Sequence, residues 1–259
     1  MILSQVSFFS DILTLRCTMN VILPQRNISN PQARVLPPFR VLYLLHGHSD
    51  DHTAWQRWTS IERYVEGLNL AVIMPAVHNS FYTDMAHGGK YFTFMTAELP
   101  EVVHGLFPLS TERADTFVAG LSMGGYGAFK LALSRPDLYA AAASLSGAVD
   151  ICEVVKGHGD PNDRAWSEAM SNVFGDLGKV KDSPHDLFRL ATDVAKAGTK
   201  PRLFQFCGVD DFLYTDNIRF RDFVKPLGFD YTYLEGPGDH TWGYWDAAIQ
   251  KVLAWLELK

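Results

Sequence analysis

The chain has 259 residues, of which 47% are hydrophobic and 20% charged, so it has enough apolar material for a large buried core. Its formal net charge of −6 and the absence of any run of Lys and Arg argue against a nucleic-acid partner. Cys17, Cys152 and Cys207 are far apart and form no CxxC pair, so neither a disulfide framework nor a zinc site is expected.

The N-terminus lacks the features of a targeting segment. It has no basic region, and Ser4, Gln5 and Ser7 interrupt its apolar residues, so it makes a poor signal peptide. No window approaches the roughly 20 apolar residues of a membrane span. We therefore expect a soluble, cytoplasmic protein with no membrane partner.

Strand and helix patterns alternate along most of the chain. Apolar runs typical of strands cover residues 6–9, 12–23, 39–45, 70–75, 116–121, 140–145, 203–207 and 231–234. Helical patterns cover residues 55–67, 94–107, 218–227 and 242–256, and another follows the strand at 116–121, continues through residues 129–133 and stops at Arg135-Pro136. This alternation predicts an α/β fold with a mostly parallel central sheet and helices on both faces. We interpret residues 1–259 as a single domain.

Two segments differ from this pattern. Residues 76–92 are polar, aromatic and glycine-containing, which is typical of a long surface loop near a site. Residues 147–199 are polar, with weakly amphipathic stretches at 164–174 and 184–197. We interpret residues 147–199 as an insertion that forms a small cap over a pocket.

The sequence Gly-Leu-Ser-Met-Gly at residues 120–124 follows a predicted strand and precedes a predicted helix. G-x-S-x-G in that context is typical of a nucleophile elbow, a tight strand-to-helix turn that exposes a serine hydroxyl. Backbone segments approach closely in such a turn, so Gly120 and Gly124 are expected where a Cβ would clash. Ser122 is therefore the candidate nucleophile.

A serine hydroxyl needs an adjacent base, and that base needs an orienting group. Asp210 and Asp211 follow the strand at 203–207, and His240 follows the last predicted strand. The chain order Ser, Asp, His is the one expected of an α/β-hydrolase. His240 is the candidate base, and Asp211 is its expected partner, with Asp210 as the alternative.

The negative oxygen of a tetrahedral intermediate needs fixed donors. The backbone N–H of Met123, directly after the nucleophile, can supply one. The loop His46-Gly47-His48 follows an earlier strand, and the backbone N–H of His48 is the second candidate donor.

The same loop supports a rival hypothesis. His46, His48, Asp50, Asp51 and His52 nearly spell the HxHxDH signature of dinuclear metallohydrolases. One extra residue separates Asp50 from His52, which would turn the second ligand pair out of geometry. The metal hypothesis also leaves the serine elbow unexplained.

Taken together, these motifs resemble the esterase D group of α/β-hydrolases, most closely the small bacterial tributyrin esterases. The resemblance rests on segments spread over nearly the whole chain, at residues 20–24 (NVILP), 43–47 (YLLHG), 80–84 (SFYTD), 120–128 (GLSMGGYGA), 207–214 (CGVDDFLY) and 240–242 (HTW). It implies an α/β-hydrolase fold and a serine carboxylesterase that hydrolyses short-chain acyl esters through an acyl-enzyme.

The resemblance also implies site residues and partners. Ser122, Asp211 and His240 correspond to the catalytic triad, and the His48 and Met123 amides to the oxyanion hole. The family needs no metal or cofactor, acts on small-molecule esters and often forms homo-oligomers. An acetyl or feruloyl esterase acting on decorated carbohydrates, or an S-formylglutathione hydrolase, is the alternative. The His-Gly-His loop differs from that of dedicated S-formylglutathione hydrolases, which weakens the last assignment.

Overall fold

The computed structural model describes residues 1–25, 35–157 and 163–258. Its strands form one eight-stranded sheet and are β1 Ile2–Ser10, β2 Leu15–Leu23, β3 Arg40–Leu45, β4 Leu70–Pro75, β5 Thr116–Leu121, β6 Ala141–Leu145, β7 Arg202–Gly208 and β8 Tyr231–Gly236. The strand order is β1-β2-β4-β3-β5-β6-β7-β8. β2 pairs antiparallel with both β1 and β4, and the other neighbouring strands pair in parallel. The predicted mostly parallel sheet is confirmed.

Helices follow most of the parallel strands. They are α1 Ala54–Trp58, α2 Ile61–Tyr64, α3 Tyr91–Thr93, α4 Leu99–Leu106, α5 Met123–Ser134, α6 Ile151–Val154, α7 Arg164–Phe174, α8 Leu187–Ala197, α9 Tyr214–Val224 and α10 Trp242–Trp255. A π-helical turn, Phe94–Glu98, joins α3 to α4, and short 3-10 turns lie at Arg113–Asp115, Leu177–Lys179 and Lys225–Leu227. In the described ranges, no helix is long and apolar enough to cross a membrane.

The sheet is covered on both faces. In β3, Val41, Tyr43 and Leu45 join the larger buried cluster, whereas Leu42 and Leu44 join the other. Helices α5, α8 and α9 pack on the first face, and α1, α2 and α10 pack on the second. Burial on both faces explains why the central strands read as continuous apolar runs in the sequence.

Several predicted boundaries were wrong. The predicted helix at 55–67 is two short helices, because Asp246 accepts hydrogen bonds from the Ser60 amide (3.1 Å) and the Tyr64 hydroxyl (2.8 Å) and holds the chain in a break between them. The predicted strand at 12–23 begins only at β2, because residues 11–14 form the turn from β1. The helix predicted at 94–107 begins earlier, at α3, and contains a π-helical turn just before α4. Pro100, near the start of α4, has no N–H to donate, which favours this irregularity.

Residues 147–199 contain the predicted helices. α7 has the predicted bounds, and the Asp163 side chain caps it by accepting from the Trp166 amide. The second predicted stretch, 184–197, becomes α8, whose N-cap Asp186 accepts from the Phe188 amide. Both caps fix where a helix begins within an otherwise polar segment.

A buried lysine links this region to the centre of the fold. Lys130, on α5, is only 3% exposed, and its Nζ donates to the Thr83 hydroxyl and lies 3.2 Å from Nδ1 of His185. Burial lowers the pKa of Lys130 to about 7. Burial and the nearby Lys130 lower the pKa of His185 to about 4. Three segments, α5, the 76–92 loop and the turn before α8, therefore meet at one polar cluster.

We expect Lys130 to make the free energy of unfolding depend on pH in an alkaline window. Its pKa is lowered from 10.5 in the unfolded chain to about 7 in the folded protein, so between these values the unfolded state binds more protons. The desolvation cost is full below about pH 7 and is relieved as pH rises, at up to about 1.4 kcal/mol per unit. Lys130→Met should remove this slope in urea unfolding measured between pH 7 and pH 9.5.

The matched control is Lys196→Met, which removes an exposed ammonium group from α8. Its unfolding free energy should run parallel to that of the wild type over the same pH range. Parallel curves for wild type and Lys130→Met would contradict the prediction, because they would show that Lys130 binds its proton equally in both states.

Candidate active site

Ser122 lies between β5 and α5 in a strained backbone conformation. Its φ is +52° and its ψ is −117°, a region that residues other than glycine rarely occupy. Backbone hydrogen bonds hold it there: its N–H donates to the Leu145 carbonyl at the end of β6 (2.9 Å), and its carbonyl accepts from the Tyr126 and Ala148 amides (3.1 Å each). This geometry is that of the predicted nucleophile elbow.

The glycines beside Ser122 are required by close backbone contacts. A Cβ on Gly120 would lie 2.4 Å from the Gly124 carbonyl oxygen. A Cβ on Gly124 would lie 2.6 Å from the carbonyl oxygens of both Leu45 and His46. The end of β5, the start of α5 and the end of β3 are therefore in direct backbone contact, as the motif predicts.

His240 and Asp211 lie beside Ser122. The His240 Nε2 is 3.0 Å from the Ser122 Oγ, and its Nδ1 is 3.0 and 2.9 Å from the two carboxylate oxygens of Asp211. The Asp211 side chain is fully buried, and one of its oxygens also accepts from the Leu213 amide (2.9 Å). Asp210 is exposed and instead accepts from the Gly238 amide at 3.3 Å. Of the two candidate acids, Asp211 contacts the imidazole.

Strand pairing explains how distant residues meet. β7 and β8 are parallel neighbours, and their pairing continues beyond the strands, where the Val209 and Asp210 amides donate to the Gly236 and Gly238 carbonyls (3.0 Å each). A Cβ on Gly208 would lie 2.1 Å from the Gly238 carbonyl oxygen. The loops that follow β7 and β8 are therefore in contact, and they carry Asp211 and His240, respectively.

Two aromatic rings hold the His240 imidazole, and sequence reasoning singled out neither. The ring centroids of Phe212 and Trp245 lie 4.5 and 4.8 Å from that of His240, with Trp245 perpendicular to it. Trp245 is itself fixed, because its Nε1 donates to the Ser146 hydroxyl at 3.0 Å. The sequence signal was their proximity to Asp211 and His240 along the chain, which alone does not show ring contact.

The loop after β3 is braced by a buried neutral histidine. The His46 Nδ1 donates to the Gly47 carbonyl (2.8 Å), and its Nε2 accepts from the Val77 amide (3.1 Å). Burial lowers the pKa of His46 to about 4, which agrees with a neutral ring. The Tyr82 hydroxyl donates to the His46 carbonyl (2.9 Å). A Cβ on Gly47 would lie 3.7 Å from the Ser122 Cβ, so this loop packs directly against the elbow.

The three histidines of the metal hypothesis do not converge. His46 uses both ring nitrogens for backbone contacts, and the His52 Nε2 lies 3.2 Å from the Gln5 amide nitrogen. The His48 ring packs on Trp166, with the two centroids 5.5 Å apart. Over the described ranges of the chain, no group of three or more His, Cys, Asp and Glu side chains could hold a metal ion. The geometry therefore does not support a dinuclear ligand set here.

Two cavities border Ser122. The first has a volume of about 350 Å³, and the apolar residues that line it are Phe81, Met123, Ala148, Val154, Trp166, Phe212 and Leu213. The second has a volume of about 380 Å³, and its lining includes Gly47, Ser49, Asp50, Leu121, Thr241, Trp242 and Trp245. Ser122, His48 and His240 border both. The nucleophile therefore borders two spaces that could hold the substituents of a bound ester.

Comparisons with known proteins agree with this geometry. The family model described as "Putative esterase" matches residues 10–256. An acetyl esterase of Caldicellulosiruptor saccharolyticus is 32% identical over 267 residues, covering 99% of this chain and 98% of that protein. Among solved structures, the fluorophosphonate-binding serine hydrolase FphF of Staphylococcus aureus has 37% identity and a TM-score of 0.87, with 98% of each chain covered.

A second solved structure from the same organism, the S-formylglutathione hydrolase FrmB of Staphylococcus aureus, has 36% identity and a TM-score of 0.84, with 99% of each chain covered. The predicted resemblance to the esterase D group and the predicted fold are thereby confirmed. The chain belongs to this esterase family: it is a carboxylic ester hydrolase with the α/β-hydrolase fold.

Proposed function

We propose that the protein is a serine esterase that hydrolyses short-chain acyl esters through an acyl-enzyme, with Ser122 as nucleophile, His240 as base and acid, and Asp211 as its orienting partner. The observation that carries the proposal is the hydrogen-bonded series from Ser122 Oγ through His240 to the buried Asp211 carboxylate, at 3.0 Å and 2.9 Å. No other acid competes with Asp211 for the imidazole in the described part of the chain.

The proposed reaction follows from the polarity of these groups. The neutral His240 Nε2 accepts the Ser122 proton while Oγ attacks the ester carbonyl carbon. Asp211 stabilises the imidazolium that forms. The backbone N–H groups of Met123 and His48 donate to the negative oxygen of the intermediate. His240 then gives its proton to the departing alcohol, and water hydrolyses the acyl-enzyme by the same steps. This chemistry requires no metal and no cofactor.

The apolar cavity supports a short acyl chain. The cavity has a volume of about 350 Å³ and extends from Ser122 to Trp166 on α7. The Trp166 side chain therefore limits the length of acyl chain that the cavity can hold. Because α7 lies within residues 147–199, we propose that this insertion acts as a cap that sets acyl-chain length. The substrates of this proposal are small esters with short acyl chains, such as tributyrin.

The similarity to an acetyl esterase favours acetyl esters as a second candidate substrate class. S-Formylglutathione is a further candidate, because FrmB, at 36% identity, is an S-formylglutathione hydrolase. A feruloyl esterase is less favoured, since a ferulic acid esterase of known structure is 24% identical to this chain and shows the fold alone. A cytoplasmic location, a homo-oligomeric state and the lack of nucleic-acid and membrane partners belong to the same proposal. The net charge of −6 supports a small-molecule rather than a nucleic-acid partner.

Ser122→Ala should abolish turnover and covalent labelling. We expect p-nitrophenyl butyrate hydrolysis to fall by more than about 10³-fold, because the attacking oxygen is lost. Intact-mass spectrometry after fluorophosphonate treatment should show one adduct on the wild type, mapped to Ser122, and none on the variant. Ser134→Ala, at the far end of α5, is the control and should keep both. A folded Ser122→Ala protein with wild-type turnover would refute the proposed nucleophile.

The two adjacent acids offer a matched test of the orienting role. Asp211→Asn should lower kcat by about 10⁴-fold, because an amide cannot stabilise the imidazolium and favours the wrong tautomer. Asp210→Asn keeps an oxygen that can accept from Gly238 and should stay within about threefold of wild type. Steady-state kinetics with p-nitrophenyl butyrate measure both. Equal losses in the two variants would show that Asp211 has no specific role.

Trp166→Ala should lengthen the acyl chain that the enzyme prefers. Removing the indole enlarges the apolar cavity, so the ratio of kcat/KM for p-nitrophenyl octanoate to that for the butyrate should rise by about tenfold. Trp58→Ala removes an exposed ring from α1 and serves as the control. An unchanged chain-length profile in a folded Trp166→Ala protein would show that α7 does not limit the acyl group.

A further inference from the structure

The two acids after the β3 loop have different environments. The carboxylate of Asp51 accepts from the Thr53 amide (2.8 Å) and hydroxyl (2.6 Å), and so fixes the start of α1. The Asp50 carboxylate accepts no hydrogen bond and forms no ion pair within residues 1–25, 35–157 and 163–258. It instead lines the second cavity beside Ser122.

Asp50 lies close to the reacting centre. One of its carboxylate oxygens is 3.5 Å from the point where a Cβ on Gly47 would stand, and the Ser122 Cβ is 3.7 Å from the same point. The oxygen and the Ser122 Cβ are therefore no more than about 7 Å apart. Asp50 is also partly buried, and this burial, with the neighbouring Asp51, raises its pKa above the ordinary value. A carboxylate in this position is only partly screened by water.

The two cavities differ in the chemistry that they offer to a bound ester. The acyl group and the leaving group extend from opposite sides of the carbonyl carbon that Ser122 attacks. The first cavity is lined mainly by apolar side chains and suits an alkyl chain; its acid, Asp163, accepts a hydrogen bond from the Trp166 amide at the start of α7 (3.0 Å). The second offers the Asp50 carboxylate, the hydroxyls of Ser49 and Thr241 and the Trp242 ring, which suit a polar leaving group. This division rests on the proposed serine esterase function.

We propose that Asp50 determines leaving-group specificity: the second cavity accepts esters of neutral or cationic alcohols and discriminates against leaving groups that carry a carboxylate. A leaving group that brings a negative charge to within several ångströms of Asp50 meets electrostatic repulsion in the cavity. At a separation of about 7 Å and an effective dielectric constant of about 40, this repulsion corresponds to about a tenfold loss of rate. A thioester of glutathione carries two carboxylates and one ammonium group, so its leaving group is anionic overall and belongs to the disfavoured class.

The test compares three butyrate esters that differ in the charge of the alcohol. They are butyrylcholine, 2-hydroxyethyl butyrate and the butyrate ester of 3-hydroxypropionate, and hydrolysis is followed by pH-stat titration. The quantity compared is the ratio of kcat/KM for the neutral ester to that for the anionic ester. Differences in intrinsic reactivity cancel when this ratio is compared between variants.

Asp50→Asn should lower this ratio by about tenfold relative to wild type, and should lower the preference for butyrylcholine as well. Asp51→Asn removes the same charge from the adjacent residue but retains an oxygen for Thr53, so it should keep the wild-type ratio. In the wild type, raising the salt concentration from 0.02 to 0.5 M should also reduce the ratio, because the repulsion is screened. The salt measurement needs no variant and stands if Asp50→Asn fails to fold.

The proposal is overturned if the ratio is the same in wild type and Asp50→Asn, or if Asp51→Asn changes it equally, since the effect would then be a general surface field. A salt-independent ratio in the wild type also overturns it. Failure of the proposed function gives a different result: neither p-nitrophenyl butyrate nor any of the three esters would be hydrolysed in a Ser122-dependent way. Hydrolysis that depends on Ser122 but is indifferent to alcohol charge refutes the role of Asp50 alone.

Discussion

The site depends on one steric constraint, the backbone contact between the end of β3 and the start of α5. Gly124 lies so close to the Leu45 and His46 carbonyls that no side chain fits between them. This contact fixes Ser122 in a backbone conformation that an isolated turn would rarely adopt. It also places the 46–48 loop beside the nucleophile. The nucleophile and the proposed oxyanion donors are therefore positioned by the same packing, and neither can shift without the other.

Hydrogen bonds between buried polar groups connect the elbow to the surrounding loops. Burial keeps the His46 imidazole neutral, and its Nε2 accepts from the Val77 amide. The Tyr82 hydroxyl donates to the His46 carbonyl. Both hydrogen bonds connect the loop after β3 to the 76–92 loop. On the other side, Asn217 donates to the Gly147 carbonyl (2.9 Å) and accepts from Gln205 (2.8 Å), which ties α9 and β7 to the chain after β6. Each group has its partner inside the protein, so burial costs little and the loops become rigid.

Sequence patterns predicted the sheet well because each central strand is buried on both faces and gives an unbroken apolar run. β4 and β5 have the predicted bounds for this reason, and the G-x-S-x-G motif located the elbow because its spacing requires close contacts. The order of Ser122, Asp211 and His240 could be predicted because parallel strands end at one edge of the sheet. The break after α1 could not, since it depends on Asp246, far away in the chain.

The sequence also could not distinguish the roles of Asp50 and Asp51, because these depend on how each side chain is placed in the folded protein. The two acids are adjacent in a segment that only nearly matches a metal-binding signature, and the structure shows that Asp51 accepts from the nearby Thr53 whereas Asp50 lines a cavity. Charge that a protein leaves unpaired beside a nucleophile acts on whatever binds there, because its field is not cancelled locally. Ser122, His240 and Asp211 are the groups proposed to carry out the reaction, whereas Asp50, which has no hydrogen-bond or ion-pair partner for its carboxylate among the described residues, is proposed to select the alcohol. On this proposal, the choice of leaving group depends on a loop position at which the reaction itself imposes no residue.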